Sequence, residues 1–234
     1  MPGYLTKQES IAVAGVPNLI IRSLLDRQQF SDPSGAAARL GISSAVWPLF
    51  GLLWPSGTEL AARMARHPVR VGERILEIGC GLALASLVGH RRGANVTASD
   101  CHPLAASFLR ENLRLNNLAA MNYCSGQWGA LPEEATERNT NNASVQLSGR
   151  FDLIMGSDVL YERDDLGSLA TFINNYARPV AQIWIIDPHR GNRPPFTRRM
   201  AGHGFSLVEE RLDRLVSPRQ TAYRGRLLVY SRGT

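Results

Sequence analysis

Glu77, Gly79 and Gly81 follow a short apolar run, at a spacing that could build a ligand-binding loop. Glycines lack a Cβ, so a backbone that contains them can turn sharply and approach a ligand closely. A dinucleotide-binding loop would carry another glycine at position 84, where this chain has Leu84. The Glu77 carboxylate also disfavours a diphosphate, but it suits the cationic amino group of a methionine moiety and tolerates a sulfonium.

Two further candidate contacts follow the next two predicted strands. Asp100 comes after the first of them, about 20 residues beyond Gly81, where an acidic side chain can take both hydroxyls of a ribose. The alternative is that Asp100 only caps the helix that begins near Pro103. Gln127 and Trp128 follow the second strand, where the indole could pack on an adenine ring and the amide could bond its edge. The alternative for Trp128 is a core tryptophan at a loop entrance.

Ser157, Asp158 and Tyr161 follow the fourth predicted strand of the alternation, which exits beside the glycine loop. This is the expected position for groups that face a reacting carbon of the ligand. Asp158 and Tyr161 offer a carboxylate and a phenol, and we take them as the candidate catalytic residues. The alternative is a helix cap and a packing tyrosine.

An alternation of strands and helices is predicted to position these residues. The strands are Arg74–Ile78, Asn95–Ser99, Met121–Ser125, Phe151–Gly156, Gln182–Ile186, Ser206–Arg211 and Arg226–Tyr230; the helices are Leu82–Arg92, Pro103–Asn116, Asp164–Tyr176 and Phe196–Gly202. Strands separated by helices imply right-handed βαβ units and parallel pairing, whereas the last two strands, with no helix between them, imply an antiparallel hairpin. The pattern therefore predicts an α/β, Rossmann-like fold: a mostly parallel seven-stranded sheet with helices on both faces and an antiparallel edge hairpin.

The remaining segments divide the chain into an N-terminal extension, residues 1–45, and a cofactor-binding domain, residues 46–234. Within the extension, Val13–Leu25 is predicted as a strand followed by a helical turn. Ser56, with an acid three residues on, is the predicted N-cap of a helix through about Arg66. The polar stretch 129–150 is interpreted as a loop or flexible insertion.

Composition narrows the function classes. The chain has 234 residues, 44% of them apolar, and a net charge of +6. Its basic residues are scattered along the sequence, which favours a solvated basic surface over a nucleic-acid-binding face. Three widely separated cysteines favour a reducing compartment, and we expect a cytoplasmic protein. The histidines lack metal-site spacing, so no metal is expected. The longest apolar run, Ile11–Leu25, contains Pro17, Asn18 and Arg22, so neither a membrane span nor a secretory signal is expected.

Four stretches together resemble the seven-strand class I S-adenosylmethionine-dependent methyltransferases, and more narrowly the methyltransferase-16 group of protein lysine methyltransferases. They are Leu53-Trp54-Pro55-Ser56-Gly57, Leu76-Glu77-Ile78-Gly79-Cys80-Gly81 with Asp100, Trp128-Gly129, and Ser157-Asp158-Val159-Leu160-Tyr161, which matches the group's Asp-x-x-Tyr signature. The resemblance covers about residues 45–190 and does not extend to the first 45 residues.

The resemblance implies that S-adenosylmethionine is the methyl donor and that the product is S-adenosylhomocysteine. It implies cofactor contacts from Trp54, Gly79, Cys80, Gly81, Asp100, Trp128 and Ser157, beside the contact expected of Glu77, and it places Asp158 and Tyr161 on the methyl-acceptor side. Gln127 departs from the group, because many relatives carry an acid there. The stretch Asp187-Pro188-His189-Arg190 is similar to an Asp-Pro-x-Arg of the branch that methylates lysines of the electron transfer flavoprotein β subunit.

The expected activity is therefore N-methylation of a protein lysine. The amine must first lose its proton, and an aromatic pocket of Tyr161 with Trp47 or Trp54 would lower its pKa, while Asp158 would orient it.

Four alternatives remain beside protein lysine methylation. A small-molecule N-methyltransferase would share the same donor site. A nucleic-acid methyltransferase usually carries Asn/Asp-Pro-Pro-Tyr where this chain has Ser157-Asp158-Val159-Leu160, and no cysteine nucleophile lies near. A non-catalytic module is disfavoured by the intact glycines and acids. An oxidoreductase is disfavoured by Leu84 and Glu77.

Overall fold

A computed structural model describes residues 3–126, 128, 147–215 and 222–233. Gln127 and most of the predicted polar insertion, residues 129–146, lie outside the described residues.

Nine strands occur in the described residues, and seven of them form one sheet. The strands are β1 (Thr6–Val13), β2 (Val16–Leu24), β3 (Arg74–Ile78), β4 (Asn95–Asp100), β5 (Asn122–Ser125), β6 (Phe151–Ser157), β7 (Ala177–Asp187), β8 (Ser206–Arg211) and β9 (Arg226–Arg232). The sheet order is β5-β4-β3-β6-β7-β9-β8. Strands β3 to β7 pair in parallel, and β9 is antiparallel to both of its neighbours. The predicted Rossmann-like sheet with its antiparallel edge hairpin is confirmed.

The helices are α1 (Ala36–Arg39), α2 (Pro55–Arg66), α3 (Leu84–Arg91), α4 (Ala105–Leu115), α5 (Ser168–Tyr176) and α6 (Arg193–Gly202), with a 3₁₀ helix at Trp47–Gly51. No helix among the described residues is long and apolar enough to cross a membrane.

Three predicted helix starts were wrong. Helix α6 begins at Arg193 rather than at Phe196, because prolines are tolerated in the first turn of a helix, where their missing N–H breaks no intrahelical hydrogen bond. Helix α2 begins at Pro55 with Trp54 as its N-cap, because a proline without N–H and with fixed φ suits the first helical position. The buried Ser56 hydroxyl instead lies 3.0 Å from the Tyr223 hydroxyl. Helix α5 begins at Ser168 rather than at Asp164, whose carboxylate accepts hydrogen bonds from the backbone N–H groups of Ser168 and Leu169 at 2.9 and 3.0 Å.

The strand predicted within Val13–Leu25 is present as β2, but the helical turn predicted after it was wrong, because the strand continues to Leu24. Strands β1 and β2 form an antiparallel hairpin, with Thr6 opposite Leu24 and a turn at Gly15, whose φ is +90°. Strand β1 is mostly exposed and carries few apolar residues, so it lacks the alternating signal by which a half-buried strand is recognised.

Two asparagines of α4 attach this hairpin to the domain. Asn112 and Asn116 lie one helical turn apart, so they share a face of the helix. The Asn112 side-chain oxygen accepts from the Arg22 N–H at 2.7 Å, and the Asn116 amide both accepts from the Ile20 N–H at 2.9 Å and donates to the Ile20 carbonyl at 2.7 Å. The two side-chain amides thus make hydrogen bonds to the outer edge of β2, as the backbone of a neighbouring strand would.

The sheet has one apolar layer on each face, as predicted. Ile75, Val96 and Met155 pack with α2, α3, α4 and the N-terminal hairpin, whereas Ile78 and Ile154 pack with α5 and α6. Strand residues point alternately to the two faces, so a strand buried on both sides reads as a nearly continuous apolar run. The carboxyl ends of β3, β4 and β6 lie at one edge of this sandwich, where the candidate site residues follow.

Candidate functional site

The loop after β3 is tightly turned and lies directly against the 3₁₀ helix. Gly79 and Gly81 have φ values of +56° and +51°, in the left-handed region that favours glycine. A Cβ on Gly81 would stand 2.8 Å from the Phe50 carbonyl oxygen, and one on Gly79 would stand 3.0 Å from a Val159 methyl group. Between them, Cys80 is buried and donates its N–H to the Ser99 carbonyl at 3.0 Å.

Glu77 is buried at the end of β3 and lines the cleft beside the loop. Its carboxylate accepts a hydrogen bond from the Ser86 backbone N–H at 2.8 Å and another from the Ser86 hydroxyl. Ser86 stands in the first turn of α3, so Glu77 ties the strand end to that helix. Burial raises the pKa of Glu77 to about 7, because removal from water disfavours the charged form.

Asp100 joins the glycine loop to the end of β4. One carboxylate oxygen accepts from the Gly81 N–H at 2.8 Å and the other from the His102 N–H at 2.8 Å. Helix α4 begins at Ala105 without a side-chain cap, so Asp100 does not cap it. Each oxygen has a further lone pair, and the carboxylate borders the cleft. Burial raises the pKa of Asp100, although the backbone hydrogen bonds oppose this shift.

His102 lines the same cleft and was missed at the sequence level. Its ring stacks on Phe50 with centroids 3.6 Å apart, and burial lowers its pKa to about 4, so it is neutral at physiological pH. Within the described part of the chain its Nε2 has no hydrogen-bond partner. Trp47 packs edge-on against both rings and is 1% exposed. The prediction that Trp47 forms the amine pocket was therefore wrong, since it belongs to the core.

Trp54 and Trp128 both line the cleft. The Trp54 Nε1 donates to the Leu49 carbonyl at 2.9 Å, and the Arg27 guanidinium lies 5.0 Å from the centre of the Trp54 ring. Trp128 is half-buried, and its ring would lie 3.4 Å from a Cβ on Gly79. Trp128 also packs against the apolar layer that contains Ile78 and Ile154. It therefore contributes to the core and lines the cleft as well, so both interpretations made from the sequence apply.

The third group lies where β6 ends. Asp158 has a φ of +58°, and its N–H donates to the Ile186 carbonyl at 2.9 Å. Its carboxylate accepts two hydrogen bonds from Arg190, from Nε at 2.8 Å and from an Nη at 3.0 Å. Tyr161 is 44% exposed at the rim, and desolvation raises its pKa to about 12. Asp158 is therefore engaged by a cation rather than free in the cleft.

One cleft of about 1130 Å³ brings the donor-side and acceptor-side candidates together. Its lining includes ten residues that the sequence proposed: Trp54, Glu77, Gly79, Cys80, Gly81, Asp100, Trp128, Ser157, Asp158 and Tyr161. Trp47 is not part of the lining, and Gln127 lies outside the described residues. Sequence reasoning missed Arg27, Leu49, Gly57 and Arg199, which also line it. Most of these lie before the strand–helix alternation. There the only sequence signal is a pair of Trp-Pro steps, Trp47-Pro48 and Trp54-Pro55, at which the backbone is restricted.

The residues of the cleft fit S-adenosylmethionine. Two buried carboxylates, Glu77 and Asp100, can meet an amino group and ribose hydroxyls, and Trp128 offers an aromatic face. The absence of a Cβ at Gly81 lets the glycine loop pack directly against the Phe50 backbone. In residues 3–126, 128, 147–215 and 222–233, no three His, Cys, Asp or Glu side chains are grouped to hold a metal ion.

Comparisons with known proteins show what this chain is similar to. A sequence model of the family described as "Lysine methyltransferase" matches residues 50–194. The electron transfer flavoprotein beta subunit lysine methyltransferase of Mus musculus is 26% identical over 215 residues, which cover 89% of this chain and 75% of that protein. The histone-arginine methyltransferase METTL23 of Rattus norvegicus is 31% identical over 137 residues, 56% of each chain.

Among solved structures, magnesium protoporphyrin IX methyltransferase from Synechocystis PCC 6803 with bound SAM superposes with a TM-score of 0.53 at 15% identity, covering 76% of this chain and 78% of that one. At this identity the likeness concerns the fold.

Proposed function

Because this chain belongs to the lysine methyltransferase family, we propose that it transfers a methyl group from S-adenosylmethionine to the side-chain amine of a lysine in a protein. The chain is an S-adenosylmethionine-dependent methyltransferase. The observation that carries the proposal is the single cleft in which the glycine loop and Asp100 meet Asp158 and Tyr161.

On the donor side, Glu77 would hold the amino group, Asp100 the ribose hydroxyls and Trp128 the adenine ring. S-adenosylmethionine, when bound, supplies a methyl group already activated by its sulfonium, so the protein contributes mainly proximity and orientation. Gly81 serves this orientation because its N–H fixes the Asp100 carboxylate at 2.8 Å.

On the acceptor side, the amine must arrive neutral, although a lysine has a pKa near ~10.4 in water. Tyr161 and Trp54 give the cleft aromatic walls, and an amine that is removed from water loses its proton more easily. The Asp158 carboxylate would accept a hydrogen bond from the amine and orient its lone pair toward the methyl group.

Three other acceptors compete with lysine. The METTL23 relative is named for histone arginine, so an arginine acceptor is the second candidate. A small-molecule amine would share the donor side, and it is the third. Nucleic acid is the least favoured, since the chain carries Ser157-Asp158-Val159-Leu160 where base methylators usually carry two prolines.

Labelling of a cell lysate with tritiated-methyl S-adenosylmethionine tests the proposal. We expect the wild-type protein to label one or a few protein bands with alkali-stable label, as N-methyl groups are, and the Asp100→Ala variant to label none. Label that is confined to small molecules or nucleic acid, with no protein band, would contradict the proposed acceptor class.

We also propose a reducing compartment such as the cytoplasm. Cys80, Cys101 and Cys124 are all free thiols, and burial raises the pKa of each, which keeps them protonated and unreactive. Cell fractionation with an antibody to the native protein tests this, and recovery from an oxidising compartment would contradict it.

A further inference from the structure

Asp158 and Arg190 form a bidentate ion pair at the acceptor end of the cleft. The Asp158 side chain is 11% exposed and that of Arg190 is 41% exposed. Both carboxylate oxygens are engaged, at 2.8 and 3.0 Å, in the fork geometry that makes Arg–carboxylate pairs strong and directional.

The backbone holds the two partners in register. Asp158 follows β6 and Arg190 follows β7, and these strands pair in parallel with Ser157 opposite Ile186. The Asp158 N–H bonds to the Ile186 carbonyl, and the Arg190 N–H is directed to the Asp187 carboxylate at 3.4 Å. The ion pair therefore bridges the ends of two adjacent strands at the rim of the cleft.

Arg190 is the cation that directly faces Asp158. Asp187, which is 1% exposed, adds a second carboxylate behind the pair, and Tyr161 and Tyr223 approach from the loop after β6 and from the segment before β9. The other charged residues of the lining that follow β6 and β7 in the chain are Glu162, Arg163, Asp164, Asp165, Arg198 and Arg199. Arg163 is itself paired with Asp165, and Arg199 bonds to the carbonyls of Asp164 and Asp165.

This arrangement has an electrostatic consequence for the acceptor. A bare carboxylate beside the incoming amine favours the ammonium form, which has no lone pair and cannot accept a methyl group. A guanidinium that is paired with that carboxylate opposes its field and shifts the balance toward the neutral amine. The carboxylate can still accept a hydrogen bond through its remaining lone pairs.

We propose that Arg190 is a positioning residue that offsets the charge of Asp158 and thereby keeps the acceptor lysine neutral at physiological pH. This inference rests on the proposed function, since it requires an amine acceptor. Methyl transfer then moves the amine lone pair to the methyl carbon, breaks the carbon–sulfur bond and leaves neutral S-adenosylhomocysteine; the proton lost from the ammonium has already gone to solvent.

The pH dependence of kcat tests the proposal, with the acceptor protein recovered from the labelled band as substrate. In the enzyme–substrate complex the acidic limb of kcat reports the acceptor amine. For Arg190→Gln we expect this limb to move up by about one pH unit, so that kcat falls about tenfold near neutral pH and recovers in alkali. Arg190→Lys keeps the charge and should leave the limb near its wild-type position.

Two further variants test the direction of the pH shift and provide a control. Asp158→Asn leaves the Arg190 charge unopposed, so its limb should move down, opposite to that of Arg190→Gln. The matched control is Arg178→Gln, because Arg178 pairs with Asp152 at 2.9 Å at the opposite ends of the same two strands, away from the cleft. That control should shift no limb.

A merely structural role for Arg190 would lower kcat equally at every pH and reduce the melting temperature. That outcome, or equal limbs in wild type and Arg190→Gln at unchanged affinity for S-adenosylhomocysteine, would overturn the inference. Failure of the wild type to label any protein would instead overturn the proposed function, so the two failures are distinguishable.

Discussion

At the scale of single residues, Gly81 is the donor-site glycine at which an added Cβ would come closest to a neighbouring atom. Its φ is +51°, and a Cβ there would stand 2.8 Å from the Phe50 carbonyl oxygen. Gly72 has a similar conformation, with a φ of +80°, but a Cβ on it would meet nothing within 4 Å. A side chain at position 72 would therefore cause backbone strain alone, whereas a side chain at position 81 would cause backbone strain and a steric clash.

We expect Gly81→Ala to lower the affinity for S-adenosylhomocysteine by at least about tenfold, because the loop must shift away from Phe50 and release Asp100. Gly72→Ala should carry the same backbone strain, about 1 kcal/mol, with no loss of affinity. Isothermal calorimetry measures both variants. Equal affinities of the two variants would show that contact with Phe50 does not shape the site.

Glu77 predicts a pH dependence of cofactor binding. Burial raises its pKa to about 7, so near neutral pH a large fraction of this carboxyl is protonated in the free protein. A cationic amino group binds the ionised form, so the affinity for S-adenosylhomocysteine should rise with pH, by up to about tenfold from roughly pH 6 to 8, with release of a proton. Calorimetry in buffers of different ionisation enthalpy measures this release.

Glu77→Gln is the control for this effect, because its side-chain oxygen can still accept from Ser86 but cannot ionise. A flat profile is expected for this variant. A wild-type affinity that fell with rising pH would mean that the Glu77 carboxylate does not meet the amino group.

Apart from Trp54, which precedes the parallel strands, the donor-site residues could be predicted from sequence because they lie at or just after strand ends in a parallel sheet, and those ends meet at one edge. Arg190 and His102 could not be assigned in the same way. The Asp158–Arg190 pair depends on the register of β6 against β7, and the stacking of His102 depends on the path of the 3₁₀ helix. Neither leaves a periodic pattern in the sequence.

At the scale of elements, helix α4 secures the N-terminal hairpin through two side-chain amides. We expect Asn112→Ala to lower the free energy of unfolding by about 1–3 kcal/mol, because Asn112 is fully buried and the Arg22 N–H would lose its acceptor. The exposed Asn122→Ala is the control and should change stability by less than about 0.5 kcal/mol. Urea denaturation measures both.

Amide hydrogen exchange tests the two asparagine contacts at individual residues of β2. Asn112→Ala should speed exchange at the Arg22 amide, and Asn116→Ala should speed it at Ile20, with Ile21 between them unaffected because its N–H lies on the β1 side. If exchange changed equally at all amides of β2, the two asparagine side chains would not act as local hydrogen-bond partners of Ile20 and Arg22.

Elements with strong apolar periodicity were predicted within a few residues, whereas those defined by tertiary contacts were not. The strand Phe151–Ser157 is buried on both faces, so its apolar run identifies it. Strand β1 is stabilised by pairing with β2 and carries mostly exposed polar side chains, so nothing in its own sequence distinguishes it from a loop.

At the scale of the whole molecule, the N-terminal segment and the sheet share one core. Leu19, Ile21 and Leu24 are fully buried in the same apolar layer as Trp47 and Phe108. A fragment that begins at residue 46 would expose that layer to water, at a cost of roughly 2 kcal/mol for each large side chain. We therefore expect the fragment to lose cooperative thermal unfolding, as measured by calorimetry. A fragment with the wild-type melting temperature would contradict a shared core.

The most direct test of the central claim is tandem mass spectrometry of the acceptor protein after incubation with deuterated-methyl S-adenosylmethionine. The cleft that joins Glu77, Asp100 and Asp158 predicts deuterated methyl groups on the side-chain nitrogen of a lysine, present with the wild-type protein and absent with Asp100→Ala. Deuterated methyl groups on arginine would contradict the lysine acceptor, and none on any protein would contradict protein methylation by this cleft.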